Sequence, residues 1–126
     1  LIVHRFSVFL TNMENLIVLI PLSVGGVFIL VGLIFWAFPP RKINRFYGYR
    51  TWNAMKSPER WNFAQKYAAK EMVIWGAVLA FMAILGFVYH PNEAIAALIG
   101  IGLMVAMVVI LFMRVESAIQ RKFQTQ

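Results

Sequence analysis

The sequence predicts an all-α integral membrane protein with three transmembrane helices and a basic cytoplasmic connection that contains an interfacial helix start. Three observations carry this. The 126 residues are 61% hydrophobic and 13% charged, whereas a soluble domain averages roughly 45–50% apolar and 25% charged. Three uncharged apolar runs, residues 16–38, 72–89 and 94–113, reach the roughly 17–25 residues that a helix needs to cross the hydrocarbon core. Helices are the form expected, because an open strand would leave its backbone groups unpaired in lipid. Finally, eight of the twelve Lys and Arg fall between the first two runs.

The elements follow in order. Residues 1–15 read as an N-terminal extension and flank. The sequence opens at Leu1 and its first methionine is Met13, so Leu1 and Met13 both stand as start residues. A signal peptide is not expected, since His4 and Arg5 break the early apolar run and no small-residue cleavage site follows. Transmembrane helix 1 is expected over 16–38. Pro39 and Pro40 close it, because proline lacks an N–H and restricts the residue before it. Pro21 either marks its first turns or kinks it. Residues 39–71 form the connection and 72–89 transmembrane helix 2. The next joint, His-Pro-Asn-Glu at 90–93, is so short that helices 2 and 3 must form an antiparallel hairpin. Pro91 or Asn92 starts transmembrane helix 3 over 94–113, and 114–126 is a tail. Gly76, Ala80 and Ala83 recur at helical spacing, a face that lets membrane helices approach closely.

Orientation follows from charge. Arg41, Lys42, Arg45, Arg50, Lys56, Arg60, Lys66 and Lys70 lie in the connection, and Arg114, Arg121 and Lys122 in the tail, while the 90–93 joint has no Lys or Arg. The positive-inside rule then puts the connection and C-terminus in the cytoplasm and the N-terminus outside.

The connection has two halves. In the second, Ser57 is a natural N-cap, Pro58 suits the first helical position and Glu59 suits the positive end of the helix dipole. Trp61, Ala64, Ala68, Met72 and Trp75 then recur at helical spacing, with Lys66 and Lys70 on another face. One helix is expected from about Pro58, reaching the membrane surface and continuing as the second span, with Trp61 and the lysines as interfacial anchors. In the first half, Gly48 stands between Tyr47 and Tyr49 and suits a turn with positive φ. Arg50 is then available for carbonyls at a helix end, a lipid phosphate or Glu71. With Thr51 it completes a Gly-Tyr-Arg-Thr stretch that reads as a structural clasp shaping the cytoplasmic face.

Asn44, Gly48, Arg50 and Thr51 make the pattern N-x-x-x-G-x-R-T. Ser57, Glu59 and Trp61 make S-x-E-x-W, with Ala64 and Gly76 following. Together these resemble the SdpI family of small bacterial membrane proteins, over roughly residues 32–85. The family's named member is an immunity protein against a secreted, membrane-active peptide toxin, and also holds a transcriptional repressor at the membrane. The resemblance implies a multi-pass protein of the bacterial plasma membrane, with a peptide toxin or a cytoplasmic regulator as partner and the seven motif residues as its structural or functional site.

Catalytic chemistry is not expected. There is no Cys, so no thiolate nucleophile is available. His4 and His90 share no metal-ligand spacing, and Glu59 and Glu71 are twelve residues apart with Lys or Arg near both. No base stands beside Ser57 or Ser23, and no glycine-rich phosphate loop precedes a helix. The sequence therefore predicts no enzyme, no metal and no cofactor. Its basic, aromatic connection is explained by topology and anionic headgroups better than by nucleic acid. The expected partners are the lipid bilayer and its anionic headgroups at the cytoplasmic face, with oligomers open. Two functional readings stand: an SdpI-type immunity or signalling protein, or a small transporter component or regulatory subunit of a larger membrane complex. The apolar runs contain no ionisable side chain facing the bilayer middle, which weakens ion transport.

Overall fold

A computed structural model describes residues 1–124. It contains five α-helices: α1 (Ile2–Glu14), α2 (Leu16–Ala37), α3 (Pro58–Met82), α4 (Leu85–Val88) and α5 (Glu93–Phe123), with a 3₁₀ turn at Ala54–Lys56. There is no strand among the described residues, and three helical segments are long and apolar enough to span a membrane. Only 22–28% of each apolar window is buried inside the protein. The remaining apolar surface, including Leu30, Phe81, Leu98 and Phe112, suits a lipid surround, because a soluble monomer rarely exposes so large an apolar patch.

Helices α2 and α3 pack antiparallel through small residues. A Cβ on Gly25 would lie 2.5 Å from the Gly76 carbonyl oxygen and 2.8 Å from the Ala80 nitrogen, and a Cβ on Gly76 would lie 2.8 Å from the Gly25 carbonyl. The two backbones therefore touch where side chains would hold them apart. Gly76 and Ala80 do face a neighbouring helix, and Ala83 is buried. Gly26 and Gly102, by contrast, face open space. Helix α5 crosses back against both partners, so α2 begins and α5 begins at one end of the bundle, and the connection lies at the other.

Asn15 ties the first end together. Its Oδ1 accepts from the Ile17 N–H at 3.0 Å and caps α2. Its Nδ2 donates to the carbonyls of Gly86 and Tyr89, at 3.1 and 3.0 Å. Asn92 caps α5 by accepting from the Ile95 N–H at 3.0 Å. Residues 2–14 form a helix with no buried residue, whose Asn12 Oδ1 meets His90 Nε2 at 2.5 Å. Pro21 sits inside α2 and is buried.

Two elements differ from the sequence expectation. The second span is interrupted after Met82: the N–H groups of Ala83, Ile84 and Gly86 bond three residues back, at 3.0–3.1 Å, a tighter winding than the α-helix. The third helix does not stop near Met113. It runs to Phe123 because Val115, Ala118, Ile119 and Phe123 continue its buried stripe into a cluster with Ala54, Ala64 and Ala68. At 1.5 Å per residue its 31 residues span about 46 Å. That exceeds a hydrocarbon core of about 30 Å, so the last third of α5 stands beyond it beside the connection.

Candidate functional site

The connection is a folded strap laid across the ends of α3 and α5. It starts with Asn44, whose Oδ1 accepts from the N–H groups of Phe46 and Tyr47 at 2.9 and 2.8 Å, while its Nδ2 donates to the Lys42 carbonyl at 2.9 Å. An asparagine does this well because its short amide mimics a backbone turn. The Tyr47 hydroxyl donates to the Phe38 carbonyl, and its ring meets Phe35 edge-on at 5.3 Å. Gly48 follows with φ +112°. A Cβ there would lie 2.7 Å from both Gln65 Oε1 and Pro40 Cγ. Conformation and space both demand glycine.

Two side chains one turn apart on α3 hold this strap. Trp61 is fully buried, and its indole N–H donates to the Pro40 carbonyl at 2.7 Å. Gln65, 1% exposed, accepts from the Tyr49 N–H at 2.6 Å and donates to the Tyr49 carbonyl at 2.7 Å. Residues i and i+4 share a helix face, so Trp61 and Gln65 grip successive parts of one backbone.

A second grip comes from α5. Glu116 accepts from the Tyr49 hydroxyl and from Asn53 Nδ2, each at 2.7 Å, and from the Thr51 side chain. Burial first, and then this carboxylate, push the Tyr49 phenol well above its ordinary value, so it remains a donor. Thr51 Oγ1 also accepts from the Ala54 N–H at 3.3 Å, opening the 3₁₀ turn.

The remaining motif residues start α3. Ser57 Oγ accepts from the Arg60 N–H at 3.1 Å, Pro58 occupies the first turn and Glu59 is exposed there. The buried Arg60 guanidinium donates to the Phe123 carbonyl at 3.2 Å and lies over that ring, 5.2 Å from its centre.

The structure thus brings Asn44, Gly48, Thr51, Ser57 and Trp61 into one strap, while Glu59 stays at its solvent edge. Two expectations change. Trp61 is not an interfacial anchor but a core residue, because the strap folds over it. Arg50 does not reach Glu71 or a helix end: it donates to the Arg45 carbonyl within the strap. Glu71 is taken by Arg114, at 2.6 and 3.3 Å, and by the Trp75 indole at 2.8 Å. The residues that hold the strap, Gln65 and Glu116, went unread in the sequence. The signal for Gln65 was a polar residue four positions after Trp61, on an apolar stripe. For Glu116 it was a single acid in a basic tail, between the apolar Val115 and Ala118–Ile119. Among the described residues no group of three or more His, Cys, Asp or Glu could hold a metal ion.

Comparison with known proteins adds a family. Residues 41–114 match the model of the SdpI/YfhL protein family. Over 96 residues the chain is 38% identical to the Bacillus subtilis (strain 168) protein named "Uncharacterized protein YfhL", covering 76% of this chain and 82% of that one. No solved structure matches. The family match takes in the strap, α3 with its Trp61 and Gln65, and α5 as far as Arg114, and the chain belongs to the SdpI/YfhL family.

Proposed function

We propose that this is a non-enzymatic protein of the bacterial plasma membrane that presents a preformed basic face to the cytoplasm. Through that face it protects the membrane against a membrane-active peptide or passes a signal to a regulator. One observation carries the reading. The strap is fixed by Trp61, Gln65 and Glu116, yet its Arg41, Lys42, Arg45, Arg50 and Lys56 are all exposed. A segment needed only for topology would require its charges and not a fixed shape. A fixed shape with outward cations suits recognition of an acidic partner surface.

The test is survival. Cells lacking the gene, and cells carrying it, are challenged with secreted membrane-active peptides from related bacteria, while proteins that co-purify in mild detergent are identified. The expected result is protection, or capture of one cytoplasmic partner, lost in Gln65→Ala at an unchanged membrane level. Equal survival with and without the gene, together with no partner dependent on Gln65, would sink the reading.

A further inference from the structure

A second face of the same end gathers three lysines from two helices. Lys66 and Lys70 of α3 and Lys122 of α5 line one groove of about 450 Å³. Its wall is aromatic: Trp36, Phe63 and Tyr67 line it too, and Lys122 Nζ sits 4.5 Å from the Phe63 ring centre. Glu59 is the one carboxylate among the lining residues. It stands one turn before Phe63, away from the apolar run, where three ammonium groups outnumber it.

The groove's depth is set by sequence. Lys70 comes two residues before the apolar run that starts at Met72, and Trp36 comes two residues before the end of the first run at Phe38. The backbone contact of Gly32 with Ala69 brings Trp36, one turn further along α2, level with Lys66. Lys70 therefore lies at the seam between hydrocarbon and water, with Lys66 a turn further out and Lys122 beyond it beside Phe63. Above them the same two helix faces continue as exposed apolar surface. Leu33 is one turn from Trp36 and Ile74 one turn from Lys70, and both are exposed. Cations and aromatic rings interleave at one end of this surface, and its other end is apolar.

We propose that this groove is a discrete binding site for an anionic phospholipid. Its phosphate is held by Lys66, Lys70 and Lys122, its headgroup lies beside Trp36, and its acyl chains run along Leu33 and Ile74. A free phosphate ion would use the lysines and leave the apolar continuation unexplained. A lipid uses both.

The experiment uses the full chain, purified in neutral detergent and stripped of lipid. It is titrated with dioctanoyl phosphatidylglycerol, with bound lipid counted by native mass spectrometry and melting followed in parallel. Saturable binding with a raised melting temperature is expected. The Lys66→Gln/Lys70→Gln double variant should bind about thirtyfold more weakly, since each lysine near an anionic lipid contributes on the order of 1 kcal/mol. Lys122→Gln, on a different helix, should also weaken binding and so guards against a folding defect in α3. Lys42→Gln/Arg45→Gln removes the same charge from the strap and should leave binding unchanged. An equal loss in that control would reduce the effect to general electrostatics and overturn the site. Equal binding of dioctanoyl phosphatidylcholine, or displacement of the lipid by equimolar inorganic phosphate, would overturn it as well.

Discussion

Gln65 holds Tyr49 by both of its backbone groups: its amide oxygen takes the N–H at 2.6 Å and its amide nitrogen gives to the carbonyl at 2.7 Å. A buried amide so placed cannot be replaced by a residue with only half its chemistry. Gln65→Ala leaves a donor and an acceptor of Tyr49 without partners in a part-buried site, and should destabilise the protein by about 1–3 kcal/mol. Gln65→Glu keeps the acceptor and loses the donor, and should fall between wild type and alanine. Melting in detergent ranks the three, and proteolysis within residues 41–56 should become faster in the same order. An alanine variant that melts with wild type would remove Gln65 from the account of the strap.

Gly48→Ala tests the turn. The new Cβ meets both the left-handed backbone, φ +112°, and the Gln65 and Pro40 atoms at 2.7 Å. A loss of about 1–3 kcal/mol is expected. Gly26→Ala is the control, because a Cβ there meets nothing within 4 Å, and it should be neutral or slightly stabilising in its helix. The difference between the two melting temperatures is the measurement; equal values would contradict the turn geometry.

The pair Glu71–Arg114 joins α3 to α5 at 2.6 Å, with the glutamate side chain 3% exposed and the arginine 50%. Because one partner is half in contact with solvent, its worth is less than that of a fully buried pair. Glu71→Ala should cost about 2 kcal/mol, since the Trp75 indole loses its acceptor as well. In a double-mutant cycle with Arg114→Ala, a small favourable coupling is expected, measurable above the error of the cycle. Coupling indistinguishable from zero would mean that the contact contributes nothing to stability.

Orientation is open to a direct measurement. The charge distribution predicts the 90–93 turn outside and the C-terminal end of α5 inside. Single cysteines replacing Asn92 and Gln124 are exposed to an impermeant thiol reagent on intact cells. Labelling is expected at 92 and not at 124, and the reverse pattern would invert the topology.

Much of this architecture was legible because it rests on local rules. Apolar runs, the Ser57-Pro58 start, the short 90–93 joint and Gly48 each state their structure in a few adjacent residues. What escaped depends on distant pairs. Tyr49 and Glu116 are 67 positions apart, and Asn53 and Glu116 are 63. Nothing within a window of one helix says that a lone tail carboxylate will collect the donors of a strap. Arg50 shows the opposite error: a planar, five-donor side chain suggests a long reach, yet its bond is to a carbonyl five residues back. Residue type alone puts Trp61 at the interface, and only the strap folded over it makes it interior.

The backbone meeting of Gly25 and Gly76 bears on permeation. Where a methyl group cannot be fitted between two helices, a file of water molecules cannot pass between them either. The α2–α3 seam is a solid partition at that depth and offers no conduit for an ion or a solute.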